Sequence, residues 1–207
     1  MKLSENLDSK IDQLVGDTFA ELHPSKPFIA GKTNIPVTGK VFGREELQAA
    51  TKASLDFWLT SGPYTEEFES RFAKTVGMRH AFMVNSGSSA NLLALSALTS
   101  RVHGERALKP GDEVITVAAG FPTTVTPILQ NGLVPVYVDV DPETYVAIDE
   151  QMEAAVSSKT KAIMMAHTLG NPFNLDFVQA LAKKHNLWLI DDSCDGLGGT
   201  YRGQNLG

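Results

Sequence analysis

Residues 114–138 read VITVAAGFPTTVTPILQNGLVPVYV. Two short runs rich in β-branched residues, 114–117 and 134–138, enclose a segment of helical periodicity, 123–130. A strand, a crossover helix and a second strand form the repeating unit of a parallel sheet. The alternation continues on both sides. Residues 81–84, 162–166 and 187–190 read as further strands, and 89–98, 149–156 and 175–184 as helices, with Asp149 and Asn174 as N-caps of the last two. No repeat, low-complexity tract or Gly/Ser linker separates these segments, so the strands are expected in one sheet. The expected fold class is α/β, a three-layer sandwich around a mostly parallel sheet.

Upstream, Leu3, Leu7, Ile11, Leu14, Val15 and Leu22 repeat at helical spacing, which predicts an amphipathic helix over 3–22 that stops at Pro24. Residues 23–43 carry Pro24, Pro27, Pro36 and three glycines and are expected to form an extended arm. A helix follows from Arg44, closed by Ser61-Gly62-Pro63, and another after Thr65, whose hydroxyl is positioned to cap it, ending at Gly77. Downstream, Gly198 to Asn205 reads as a hairpin, and only turn chemistry follows the last apolar strand before Gly207. Two regions are expected, 1–43 as helix and arm and 44–207 as a large domain whose sheet is incomplete.

Composition removes several functions. The chain has 207 residues, 43% apolar and 20% charged, enough for a sizeable core. Net charge is -6 with a pI near 5.3, and no Lys/Arg run offers a track for a phosphate backbone, so nucleic acid is not an expected partner. No apolar stretch approaches the roughly 20 residues of a membrane span. The start, MKLSENLDSKIDQ, is acidic where a signal peptide is apolar, and the cytoplasm is the expected compartment. One cysteine, Cys194, excludes an internal disulfide framework.

Four segments carry chemistry. Asn85-Ser86-Gly87-Ser88-Ser89 joins a strand to a helix, so its free N–H groups and the helix dipole converge on one spot. A phosphate suits that spot, with Gly87 admitting close approach and Ser88 adding donors, although a plain serine-capped turn has the same pattern. Asp191 and Asp192 end a strand at the edge where open α/β sheets bind ligands. One carboxylate there can hold a pyridinium nitrogen protonated; the alternative is that both cap a turn. Phe121, just beyond the 114–117 strand, is placed to stack on a flat ring or to serve as core, and His167 ends the 162–166 strand as a pocket or a structural imidazole. A planar phosphorylated cofactor would use all four segments.

These residues resemble a known family, the sugar-nucleotide aminotransferases and dehydratases on the fold-type I pyridoxal-phosphate scaffold. Gly62-Pro63-Tyr64-Thr65-Glu66-Glu67-Phe68-Glu69, Asn85-Ser86-Gly87-Ser88-Ser89-Ala90, Pro110-Gly111-Asp112-Glu113-Val114-Ile115 and Asp191-Asp192 with Leu197-Gly198 match its successive signatures, covering nearly the whole chain. The resemblance implies that Gly87 and Ser88 hold the phosphate, Phe121 stacks on the ring, Asp192 pairs with the pyridine nitrogen and His167 lines the pocket. It also implies a homodimer and a nucleotide-sugar substrate.

Gly120-Phe121-Pro122-Thr123-Thr124-Val125, Ala166-His167-Thr168-Leu169-Gly170-Asn171 and Asp192-Ser193-Cys194-Asp195 are most similar to the subgroup of CDP-4-keto-6-deoxyglucose 3-dehydratases of lipopolysaccharide dideoxysugar synthesis. That subgroup uses pyridoxamine phosphate, a histidine in place of the Schiff-base lysine, a 2Fe-2S cluster and a partner reductase. Cys194 matches the first cluster cysteine. The catalytic base, histidine or lysine, and the other cluster cysteines of the family fall beyond Gly207, so the chain alone is expected to be inactive. Two rivals stand beside this reading: a nucleotide-sugar aminotransferase of the same family, and a non-catalytic fragment. A nicotinamide dehydrogenase lacks support, because no glycine fingerprint follows the first strand.

Overall fold

The computed structural model describes residues 4–36 and 39–206. Leu3, expected in the first helix, lies outside them. The chain divides into two compact units, Met1–Phe68 and Glu69–Gly207.

In the first unit, helix α1 (Glu5–Leu22) starts at Ser4, whose hydroxyl accepts the Leu7 N–H. Helix α2 (Arg44–Asp56) starts where Glu46 Oε2 accepts the Gly43 N–H at 2.6 Å. Lys52 of α2 joins the two, its ammonium 3.0 Å from Asp8 Oδ1 and 2.8 Å from Asp12 Oδ1. The described residues between the helices form no strand or helix, as the prolines predict. α2 ends earlier than its spacing suggests. Phe57 turns left-handed at φ 50°, and Trp58 Nε1 donates to Ser61 O at 2.7 Å. The indole then lies 2.7 Å from where a Cβ on Gly62 would sit, so only glycine fits there.

Helix α3 (Pro63–Val76) carries the chain into the second unit. It begins at Pro63 rather than after Thr65, because proline loses nothing at a first helical position and Gly62 O already accepts the Glu66 N–H.

The second unit contains α4 (Gly87–Ala97), β1 (Glu113–Val117), α5 (Pro122–Gln130), β2 (Val134–Val138), α6 (Asp149–Ala154), β3 (Thr160–Ala166), α7 (Leu175–His185), β4 (Trp188–Asp192) and the hairpin β5 (Thr200–Tyr201) and β6 (Gln204–Asn205). The sheet is parallel throughout, in the order β2-β1-β3-β4. The chain steps from β1 to β2 in one direction, then passes back over β1 to β3 and on to β4. Right-handed crossovers therefore place α5 on one face and α6 and α7 on the other.

The core follows this division. Leu95 of α4 and Ile128 of α5 pack with Val114, Ala162 and Met164 on the first face. Met152 of α6 and Val178 and Leu181 of α7 pack with Ile115, Ile163 and Met165 on the second. The expected three-layer α/β sandwich is the architecture found.

Two local expectations change. Residues 81–84 join no ladder among the described residues, and the Met83 N–H is instead held by Glu69 Oε1 at 2.7 Å. The cap of α6 is Ile148 rather than Asp149, whose carboxylate accepts from Asn174 Nδ2 at 2.6 Å. Asn174 does cap α7, accepting the Phe177 N–H.

Candidate cofactor site

In a parallel sheet whose strand order reverses, the crevice beyond the carboxyl ends of the strands is where ligands gather. β1 and β3 leave such a crevice, and β4 ends beside it at Asp192. Successive strand residues point to opposite faces, so Asp191 and Asp192 separate. Asp192 shares the face of Ile190 with α4 and α5, while Asp191 turns to the other layer.

Asp192 is held from three directions. Its Oδ2 accepts from Asn91 Nδ2 at 2.7 Å and from Thr124 Oγ1 at 2.8 Å, and its Oδ1 accepts the backbone N–H of Cys194 at 3.1 Å. Asn91 lies one turn into α4 and Thr124 in the first turn of α5, so the contacts bring together the starts of both helices and the end of β4. A cavity of about 200 Å³ lies between Ser88, Ser89 and Leu92 of α4 and Thr123, Thr126, Pro127 and Gln130 of α5; Asp192 is not part of its lining.

Gly87 and Ser88 are the first residues of α4. Ser86 Oγ accepts the Ser89 N–H at 3.2 Å and Ser86 O takes the Ala90 N–H, so the Gly87 and Ser88 amides are left with no helical acceptor. A Cβ on Gly87 would meet no atom within 4 Å, and free amides at the start of a helix suit an anion. Phe121 is the residue before α5, and its ring is 69% exposed at the same edge. Gly87, Ser88, Phe121 and Asp192 therefore lie on elements that meet.

His167 occupies a different place. Its imidazole is fully buried, stacked on Phe173 at 4.4 Å between ring centres, with Nε2 2.9 Å from Asp191 Oδ2. Nδ1, on the other side of the ring, is buried with no hydrogen-bond partner. The link from His167 to Asp192 runs through the main chain, His167 N–H donating to Asp192 O at 3.2 Å. Gly196 backs the ring: a Cβ there would approach His167 Cβ and Cδ2 to 3.2 Å.

Cys194 is exposed and free, and no group of three or more His, Cys, Asp or Glu side chains that could hold a metal occurs among the described residues. A cluster takes about four ligands, so this chain alone does not offer one. No helix among the described residues is long and apolar enough to cross a membrane.

The profile of the DegT/DnrJ/EryC1/StrS aminotransferase family matches residues 41–207. The chain belongs to this family. A lipopolysaccharide biosynthesis protein RfbH of Salmonella typhimurium is 57% identical over 204 residues, which are 99% of this chain and 47% of that protein. A dTDP-4-dehydro-2,6-dideoxy-D-glucose 3-dehydratase of Saccharopolyspora spinosa is 52% identical over 88% of this chain and 40% of its own length. The E. coli GDP-4-keto-6-deoxy-D-mannose-3-dehydratase, solved with bound hydrated PLP, superposes with a TM-score of 0.78 at 35% identity over 84% of this chain and 44% of that one. The chain thus spans about half the length of the family members it matches. The family's fold-type I scaffold is the α/β sandwich described above.

Asn91 and Thr124 were not singled out from the sequence. They lie 101 and 68 residues from Asp192, and an asparagine inside a helix carries no signal of its own. The available clue is Pro127 inside α5: it has no N–H, so the Thr123 carbonyl one turn earlier lacks its helical donor. Asn91 Nδ2 supplies one at 3.3 Å.

Proposed function

We propose that the protein carrying this chain binds pyridoxal or pyridoxamine 5'-phosphate and removes the C3 hydroxyl of a nucleotide-linked 4-keto-6-deoxyhexose, a step of dideoxysugar and lipopolysaccharide synthesis in the cytoplasm. The observation that carries the reading is Asp192, a carboxylate fixed by three donors at the strand edge beside the open amino end of α4. Two relatives at 52% and 35% identity are named as 3-dehydratases, which favours this reaction over others of the family.

Gly87 and Ser88 would hold the cofactor phosphate through their backbone N–H groups, helped by the α4 dipole. Phe121 would cover one face of the ring. Asp192 would keep a proton on the pyridine nitrogen through Oδ1, the oxygen with only one donor. His167 would support the same edge through the main chain, its side chain locked on Asp191 and Phe173. Bound there, the cofactor supplies an electron sink for charge developing on the sugar. The base that moves the proton is proposed to be none of the residues named above.

Cys194 is proposed as one thiolate of a 2Fe-2S cluster completed by cysteines this chain does not carry, fed by a partner reductase. A homodimer completes the assembly. The second reading, a nucleotide-sugar aminotransferase, is favoured by the family's own description.

One assay separates the two readings. The protein is incubated with pyridoxamine phosphate, a reducing system and a CDP-4-keto-6-deoxyhexose, and the products are analysed by mass spectrometry. A 3-deoxy sugar is expected; a 4-amino sugar formed with an amino donor selects the aminotransferase. Absence of saturable cofactor binding, followed by absorbance, removes both. Asp192→Asn is expected to weaken that binding roughly 10- to 100-fold, the value of a charge-assisted hydrogen bond.

A further inference from the structure

The Asp192 carboxylate has two unlike oxygens. Oδ2 accepts from two side chains of two different helices, and Oδ1 accepts only a backbone N–H. We infer that Asn91 and Thr124 are positioning residues, which pin Oδ2 so that Oδ1 is aimed at the ligand. This inference rests on Asp192 being the cofactor's partner.

Asn91 is buried, and its amide orientation is dictated by its neighbours: a carboxylate and a carbonyl both demand the Nδ2 donor. One amide group thereby ties α4 to the start of α5 and to the end of β4. Thr124 is 2% exposed, and its hydroxyl donates to Asp192 Oδ2. Neither side chain lines the cavity between α4 and α5, and both donate to Asp192, through which their influence on a ligand would pass. A carboxylate hinged only at Cβ rotates freely about its terminal torsion, which is broad and roughly two-fold. Two donors from different elements remove that freedom before a ligand arrives, and this is where preorganisation lowers the cost of binding.

A purely structural duty for Asn91 is the competing explanation, because it also satisfies the Thr123 carbonyl left open by Pro127. The two duties separate genetically. Pro127→Ala returns a backbone N–H to that carbonyl, so in this background Asn91 has only Asp192 left to serve.

The test is titration of the intact protein with pyridoxal 5'-phosphate, followed by absorbance, alongside chemical denaturation of each cofactor-free variant. Asn91→Leu in the Pro127→Ala background is expected to bind about ten-fold or more weakly than Pro127→Ala alone, as loss of a hydrogen bond to a charged group implies. Adding Asn91→Leu to Asp192→Asn is expected to change binding little, since the group it positions is gone. Thr124→Val is expected to weaken binding similarly, and Thr124→Ser, which keeps the hydroxyl, to restore it. Equal affinity of Pro127→Ala with and without Asn91→Leu, together with unimpaired binding by Thr124→Val, overturns the inference and leaves the pair structural. Failure of the unsubstituted protein to bind removes the proposed function first and this inference with it, an outcome seen before any substitution is compared.

Discussion

At the scale of single residues, the two glycines nearest the site are constrained by opposite circumstances. Gly87 has open space where a Cβ would go and an ordinary negative φ, whereas Gly196 is packed against His167. Gly87→Ala is therefore expected to leave the denaturation midpoint unchanged or slightly raised while weakening phosphate-ester binding several-fold, because the methyl group fills the anion's approach. Gly196→Ala is expected to cost about 1–3 kcal/mol of stability, the usual penalty for overpacking, measured by urea denaturation. The reverse pattern would mean that the anion site lies elsewhere. Residue chemistry was legible in the sequence where it was local: the serine-glycine turn and the paired aspartates were found from neighbours in the chain. The donors that hold Asp192 were not, because their significance arises only when α4, α5 and β4 are brought together. The side-chain placement of His167 was hidden for the same reason, since a residue just past a strand end takes its face from the following turn, here 3₁₀ with Leu169 at φ 56°.

At the scale of elements, caps and staples decide how firmly each helix is placed. Asn174 accepts the Phe177 N–H at the start of α7 and the Tyr201 hydroxyl, and donates to Asp149 at the start of α6, so Asn174→Ala removes three contacts at once. A loss of about 1 kcal/mol is expected from the cap alone, read from urea denaturation. In the first unit, the α1–α2 staple responds to pH. Hydrogen bonds from the ammonium to Asp12 and Asp8 hold Lys52 above its ordinary value of 10.5. A raised folded-state value stabilises below the unfolded value and its contribution disappears as pH climbs through the folded one. Lys52→Met is accordingly expected to lower α1–α2 helicity at neutral pH, with the difference from the parent vanishing above pH 10.5, as followed by circular dichroism. Identical helicity at neutral pH would show that the ion pairs carry nothing.

The strands of the sheet were readable because each is a short apolar run, and four such runs join one sheet as expected. Residues 81–84 are also a short apolar run and yet join no ladder among the described residues, which shows the limit of the pattern: an apolar run is compatible with a strand, while a strand also needs a neighbour.

At the scale of the whole molecule, burial is divided unequally. Among the described residues every buried side chain lies at Ala73 or beyond, while Leu14, Leu22, Trp58 and Leu59 of the first unit are more than half exposed. Fixing a backbone costs roughly 1–2 kcal/mol per residue, and a unit without buried apolar side chains has little to set against that cost. Amide hydrogen exchange is therefore expected to be fast throughout α1, α2 and the arm, and slow in β1 and β3. Limited proteolysis is expected to cut first between residues 23 and 43, leaving Glu69–Gly207 resistant. Strong protection of α1 and α2 would contradict this and would require that their exposed apolar residues are covered. Repeating the exchange over a range of protein concentrations identifies the cover: protection that rises with concentration means a second copy of the chain, as the proposed homodimer implies, and protection independent of concentration means that the first unit is held within a single chain.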